Sequence, residues 1–196
     1  MNRLLILSIL FLSVASCTKE KNQQPPVVTP PGMKYIDLHN ASVKYQSIGF
    51  IDLDGNGAID LYFGTTLIGD PIGKQDRLDF EVTSVPRVNL QVIDNSEVGK
   101  RMNKGDAISK DPADGFLWYE LTHIVMAEKV IPESGAPFWQ GNWKDASHHY
   151  LPVQLIRNGE LFHGWVEISM DTNAEQLILH KAAISTEAGK KVKAGY

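Results

Sequence analysis

Alternation of apolar and polar residues is the feature that most constrains the fold of this chain. In residues 78–83, Leu, Phe and Val alternate with Asp, Glu and Thr, and residues 51–54, 59–63 and 88–92 repeat the pattern. A period of two is typical of a β-strand with one face in the core and one in water. We therefore predict a strand in each of these segments.

The C-terminal half continues the β pattern and offers no convincing long helix. We predict strands over 150–157, 160–170 and 176–184, with the hairpin signal Asn158-Gly159 joining the first two. Residues 116–128 fit a helix face too, but their aromatic and β-branched content favours a strand. With about eight strands and no internal repeat, we predict an all-β fold, an antiparallel β-sandwich. A jelly roll is one topology that fits this prediction.

Three connecting segments carry weaker patterns. Residues 84–87 are interpreted as a hairpin loop between the strands that flank them, and residues 95–115 as a long polar loop. The polar tail, residues 186–196, is expected to fray or to lie at a sheet edge.

The N-terminus carries an export pattern. A basic start precedes the apolar run LLILSILFLSV, which is too short to span a bilayer, and the run ends in Val14-Ala15-Ser16-Cys17. This tetrad resembles the bacterial lipobox, in which the cysteine is lipidated; the alternative is a plain secretory signal. Cys17 is the only cysteine, so the chain can form no intramolecular disulfide.

The lipobox resemblance implies an organisation for all 196 residues. Residues 1–16 would be a lipoprotein signal peptide, residues 17–32 the lipidated cysteine and a proline-rich linker, and residues 33–196 a single β-sandwich domain. The protein would be anchored by lipid in a bacterial cell envelope, at the outer membrane, facing either the periplasm or the surface. The net charge of −4, with no basic run, argues against nucleic acid as a partner.

The segment IDLDGNGAIDLYFG, residues 51–64, places oxygen ligands at alternate positions. Calcium binds six to eight such oxygens, and Gly57 falls where a calcium loop turns sharply. The predicted ligands are the side chains of Asp52, Asp54, Asn56 and Asp60 and the backbone carbonyl of Ala58. Ligands that are all oxygen favour calcium or magnesium over zinc or copper, and calcium is preferred here because it tolerates irregular geometry better. The alternative is a tight turn stabilised by its own Asp and Asn side chains, without metal.

The loop is not an EF-hand, because Phe63 stands where that motif needs a bidentate glutamate. DLDGNGAID followed by LYFG instead resembles the calcium loop of FG-GAP and VCBS repeats, which implies a calcium-bound β-hairpin. Those families repeat the loop around a propeller, whereas this chain holds one copy. We therefore expect a single calcium ion with a structural role.

A second resemblance covers residues 150–195. YLPVQLIRNGELFHGWVEISM and the closing KAGY look like the end of secreted bacterial proteins with a YLGFRF…YGWI signature. Gly164-Trp165 matches the Gly-Trp of that signature, while His163 replaces its tyrosine. The resemblance implies a β fold and export, and no reaction.

A cluster of aromatic and polar residues is the candidate ligand site. Trp139, Trp143, Asp145 and His148 could stack on and hydrogen-bond a sugar, although large rings more often close a core. No nucleophile-elbow, P-loop, dinucleotide or zinc-protease motif is present, so we assign no catalytic residue. We expect a non-enzymatic binding or structural module whose partner is a glycan or an envelope protein. The alternative is a carbohydrate-binding or carbohydrate-active accessory lipoprotein.

Overall fold

The structure, a computed structural model, describes residues 30–196. The predicted signal peptide, Cys17 and most of the proline-rich linker lie outside these residues. The described chain is all-β and antiparallel, and the prediction of an antiparallel β-sandwich is confirmed. None of its segments forms a helix that is long and apolar enough to cross a membrane.

Thirteen strands form in residues 30–196. Their bounds are β1 (Met33–Val43), β2 (Gly49–Ile51), β3 (Leu61–Asp70), β4 (Gln75–Ser84), β5 (Val88–Val92), β6 (Ala107–Ile108), β7 (Leu117–Glu120), β8 (His123–Pro132), β9 (Phe138–Gln140), β10 (His149–Arg157), β11 (Glu160–Asp171), β12 (Gln176–Ser185) and β13 (Val192–Lys193). β2, β6, β7, β9 and β13 have four residues or fewer, so eight of the thirteen are longer. The strand predicted at residues 51–54 is wrong beyond Ile51, where the chain enters a loop, and β1 was not predicted as a separate strand. The short edge strands leave little periodicity to detect.

Two sheets pack face to face. The six-stranded sheet has the order β1-β12-β11-β10-β5-β7, and the five-stranded sheet has the order β2-β3-β4-β8-β9. The core between them joins side chains of both sheets, such as Phe63 and Phe80 from one and Leu151 and Ile168 from the other. The alternation read from the sequence therefore has its physical cause in this interface.

The hairpin signal at residues 158–159 is confirmed. Asn158 and Gly159 have φ angles of 53° and 78°, the left-handed pair that a type I′ turn requires between β10 and β11. Residues 116–128 are strands, as predicted, but they split into β7 and β8 at Leu121, whose φ is 52°.

The hairpin predicted at residues 84–87 is wrong. β4 pairs with β3 and β8, whereas β5 pairs with β10 and β7, so this segment crosses from the five-stranded to the six-stranded sheet. Val85 is partly buried against the core at the crossing. The crossing segment also brings Arg87 to Asp54 and Asp60 of the Asp-rich loop. No local sequence pattern indicates this contact.

A third layer covers part of the outer face of the six-stranded sheet. Val192 and Ala194 from the tail and Ile108 from the polar loop pack on Trp165, and all four are at most 3% exposed. The N–H of Ala194 donates to Asp106 O (2.9 Å). Of the two alternatives for the tail, fraying is wrong: the tail forms β13 at the edge of a two-stranded sheet with β6, and Val192 and Ala194 bury the Trp165 indole.

Candidate metal site

The Asp-rich segment connects β2 and β3. Ile51 and Leu53 are buried at its start, and the N–H of Asp60 donates to Ile51 O (2.8 Å) at its end. Gly55 and Gly57 have φ angles of 71° and 86°, which residues with a side chain rarely adopt. The two glycines therefore let the chain reverse within the loop, so that the acidic side chains converge.

Three of the five predicted ligands come together. Asp52, Asp54 and Asp60 each place a carboxylate oxygen so that all of these atoms lie within 4.8 Å of one another. Asp60 is fully buried, although the alternation of residues 59–63 puts its position on the wet face. Its Oδ2 accepts a hydrogen bond from Leu53 N (2.8 Å). Its Oδ1 makes no hydrogen bond and lies 2.8 Å from Arg87 Nη2, a charge contact without hydrogen-bond alignment.

Asp52 closes the loop through its backbone. Its Oδ1 accepts from Gly55 N (2.6 Å) and its Oδ2 from Gly57 N (2.7 Å). Burial acts to raise the pKa of Asp52, but the N–H donors of Gly57, Gly55 and Asn56 outweigh burial, so its pKa lies below the ordinary value. Asp52 is thus held ionised by the loop itself.

Asp60 shows the opposite behaviour. Burial raises its pKa, Leu53 N–H and the Arg87 charge act against burial, and the charges of Asp54 and Asp52 add to the rise. The charges of the neighbouring acids thus help to raise the pKa of Asp60, whereas backbone donors at the turn lower the pKa of Asp52.

The other two predicted ligands are exposed. Asn56 Oδ1 accepts a hydrogen bond from Ala58 N (2.7 Å), a local contact of the turn. A cation ligated by Asn56 would have to share this oxygen with the Ala58 N–H.

Arg87 is the functional residue that the sequence reasoning missed. Its Nη1 lies 3.3 Å from Asp54 Oδ2 and its Nη2 2.8 Å from Asp60 Oδ1. The backbone of Arg87 has a φ of 76° and is held by donation from its N–H to Glu120 Oε1 and from Ile156 N to its carbonyl (2.7 Å). The signal in the sequence is only a basic residue beside a proline, 27 residues beyond Asp60.

The residues fit a divalent, oxygen-binding cation. Three carboxylates, the Arg87 guanidinium and the Lys34 ammonium, whose Nζ donates to Asp54 O (2.6 Å), leave a formal charge of −1 at the loop. The buried Asp60 Oδ1 has no hydrogen-bond donor, which is the kind of unsatisfied atom that an ion can complete. Calcium tolerates irregular sets of carboxylate and carbonyl oxygens. Arg87 competes for the same oxygens, so with an ion bound the three carboxylates would face the ion, Arg87 and Lys34.

The four residues of the predicted ligand site do not share one surface. Trp143 is fully buried in the core, and no face of its ring is open to a ligand. Trp139 packs against Phe80 with ring centroids 5.6 Å apart. Asp145 and His148 are exposed. The alternative considered for the large rings, packing in or against the core, therefore applies to both tryptophans.

His148 belongs to a polar cluster on the outer face of the six-stranded sheet. Its Nδ1 lies 2.8 Å from Glu167 Oε1, and its ring stacks on that of His180 with centroids 4.2 Å apart. Both ring nitrogens of His180 have partners, Ser169 Oγ (2.8 Å) and Asn40 Oδ1 (2.6 Å). The imidazoles are thus engaged with neighbouring side chains rather than aimed at a common point.

Comparisons of this chain with protein-family models, with curated proteins and with solved structures find no match.

Proposed function

We propose that this chain is a lipid-anchored protein of a bacterial cell envelope and acts as a non-enzymatic binding or structural module. One calcium ion, held by Asp52, Asp54 and Asp60, stabilises the domain near its start. The observation that carries the proposal is the convergence of these three carboxylates within 4.8 Å around the buried, hydrogen-bond-free Asp60 Oδ1. In this role the ion supplies positive charge to the loop and no reaction.

Support for the anchor comes from the sequence alone. The apolar run followed by Val14-Ala15-Ser16-Cys17 is what a lipoprotein signal requires, and Cys17 has no other cysteine to pair with. Acyl chains contribute about 0.8 kcal/mol per buried methylene, so more than one chain holds a protein firmly on a membrane.

The calcium role is tested by thermal unfolding of the purified protein in calcium and in chelator. A ligand that binds only the folded state adds about 2.7 kcal/mol of stability at one hundred times its Kd. We expect a clear rise in Tm with calcium for the natural protein and none for Asp54→Ala. Asp145→Asn, which removes an exposed carboxylate outside the loop, is the matched control and should respond like the natural protein. Equal Tm values in calcium and chelator for the natural protein would refute the calcium role.

The anchor is tested by fractionation of cells that produce the protein. We expect the natural chain in the membrane fraction and Cys17→Ala released from it, since the acyl chains can no longer be attached. Retention of Cys17→Ala on the membrane would contradict the proposal.

A carbohydrate-binding role is the second candidate function. The tryptophans first considered for it are packed in or against the core. The observation that favours it lies elsewhere, on the exposed face of the five-stranded sheet.

A further inference from the structure

The outer face of the five-stranded sheet combines acidic, basic and aromatic side chains. The strand register sets Thr66, Asp79, Glu128 and Gln140 side by side in a row across β3, β4, β8 and β9. Arg77 and Glu81 flank Asp79 two residues away along β4, on the same side of the sheet. We call this surface, centred on Asp79, the polar face.

The centre of the polar face contains a buried charge that is poorly satisfied. Asp79 is 2% exposed, and its Oδ1 has no hydrogen-bond partner. Arg77 Nη2 lies 3.6 Å from Asp79 Oδ2, and Arg77 Nε, also without a hydrogen bond, lies 4.0 Å from Glu128 Oε2. These separations exceed hydrogen-bond length, so Arg77 offsets the charges of Asp79 and Glu128 without a hydrogen bond to either. The Arg77 side chain is 38% exposed and can be reached from solvent, whereas that of Asp79 is 3% exposed and covered.

Beside this centre the surface is open. Gly64, opposite Glu81 in the register, would carry a Cβ that meets no atom within 4 Å. Glu81 is held at the rim by Thr66 Oγ1, which donates to its Oε1 (2.8 Å), and by His123 Nε2 at 3.4 Å from its Oε2. Gly64 thus leaves a gap between the side chains of the polar face, with a fixed carboxylate at its side.

Aromatic rings stand at the same edge of the polar face. Phe50 and Tyr62 are paired across β2 and β3, with ring centroids 5.7 Å apart and an interplanar angle of 84°. They are 54% and 39% exposed, in contrast to Trp143 in the core. Tyr62 lies two residues from Gly64 along β3 and on the same side of the sheet, so its ring adjoins the gap.

The composition of the polar face selects among ligand classes. Within residues 30–196, the carboxylates gathered closely enough to chelate a metal ion are those of Asp52, Asp54 and Asp60, and Arg77 adds a positive charge beside Asp79. An anionic ligand would meet three carboxylates and one guanidinium. A neutral ligand with many hydroxyls can donate to the carboxylates, accept from Arg77 and lay its C–H face on Tyr62.

We propose that the polar face binds a neutral saccharide over the gap at Gly64, with Tyr62 as the stacking ring and Glu81 and Arg77 as hydrogen-bonding groups. The inference rests on the proposed role of the domain as a binding module, but it uses none of the residues of the calcium loop. Loss of the calcium response would leave it standing, and loss of saccharide binding would leave the calcium response standing.

The test uses the purified full chain on an array of neutral oligosaccharides of glucose, galactose, mannose and N-acetylglucosamine, with uronic acid oligomers for comparison. Calorimetry then measures the affinity for the neutral oligosaccharide that binds best. We expect neutral oligosaccharides to bind and uronic acid oligomers not to bind.

Three variants locate the site. Glu81→Gln should weaken binding about tenfold or more, because a hydrogen bond to a charged group is lost, and Tyr62→Ala should weaken it through loss of stacking. Gly64→Val should abolish binding while leaving Tm unchanged or higher, since the added side chain enters open space in a strand. Tyr35→Ala, which removes a ring that is 55% exposed on the other sheet, is the matched control and should bind normally.

Two results would overturn the proposal. One is an array on which no neutral oligosaccharide binds the natural protein. The other is a folded Gly64→Val variant that binds with unchanged affinity, because the gap at Gly64 would then not be the site.

Discussion

Replacing Arg87 with glycine separates the contribution of the guanidinium from that of calcium. Arg87 is the positive partner of Asp54 and of the fully buried Asp60. Removing one partner of a buried ion pair costs about 3–5 kcal/mol. Glycine also relieves the left-handed backbone at φ 76°, which costs other residues about 1–2 kcal/mol. We therefore expect Arg87→Gly to lower the free energy of unfolding in chelator by about 1–4 kcal/mol.

Calcium should reduce this loss. The ion would neutralise the carboxylates that Arg87 leaves unpaired, so Arg87→Gly should depend on calcium more than the natural protein does. The assay is urea denaturation of both proteins at saturating calcium and in chelator, which gives four free energies of unfolding and one coupling energy.

Two controls sharpen the measurement. Arg87→Lys keeps a positive charge and should lose less stability in chelator than Arg87→Gly. Arg157→Gly, at an exposed residue whose guanidinium lies over Phe162 instead of an acid, should lose the same stability in both buffers. An equal loss for Arg87→Gly with and without calcium would refute the reasoning that Arg87 and calcium neutralise the same carboxylates.

Two further predictions concern the outer face of the six-stranded sheet. His163 is fully buried between Gln154 and Lys190 O, and burial lowers its pKa; stability should therefore fall as pH drops from about 6.5 through that lower pKa. His163→Gln, followed by urea denaturation across this pH range, should flatten the dependence, and an unchanged slope would contradict it. Trp165→Ala should cost about 3–5 kcal/mol and remove hydrogen-exchange protection from the amide of Ala194; retained protection would show that the tail docks without the indole.

Local patterns predicted most of the fold. Strands β4, β5, β10, β11 and β12 follow from alternation, because each has one face in the core and that face sets its period. The turn at residues 158–159 follows from its two residues, since few others adopt both positive φ angles. The crossing at residues 84–87 could not be predicted, because a hairpin and a change of sheet use the same turn residues and differ only in which strands pair.

The two candidate sites also differ in how far the sequence predicts them. The acids at 52, 54 and 60 could be identified because their spacing within one turn brings them together with little help from the rest of the chain. The polar face could be identified only in part. Alternation puts Asp79 and Glu81 on a common side of β4, but Glu128 and Gln140 join them through pairing with β8 and β9.

By itself the sequence determined where side chains point along each strand and how the Asp-rich loop turns, because both depend on bonds and contacts between near neighbours in the chain. Only the tertiary structure decided which residues meet across distance. It placed Arg87 on Asp60, buried Trp143 and left Tyr62 exposed, since strand pairing and sheet packing join segments whose separation in sequence carries no local signal.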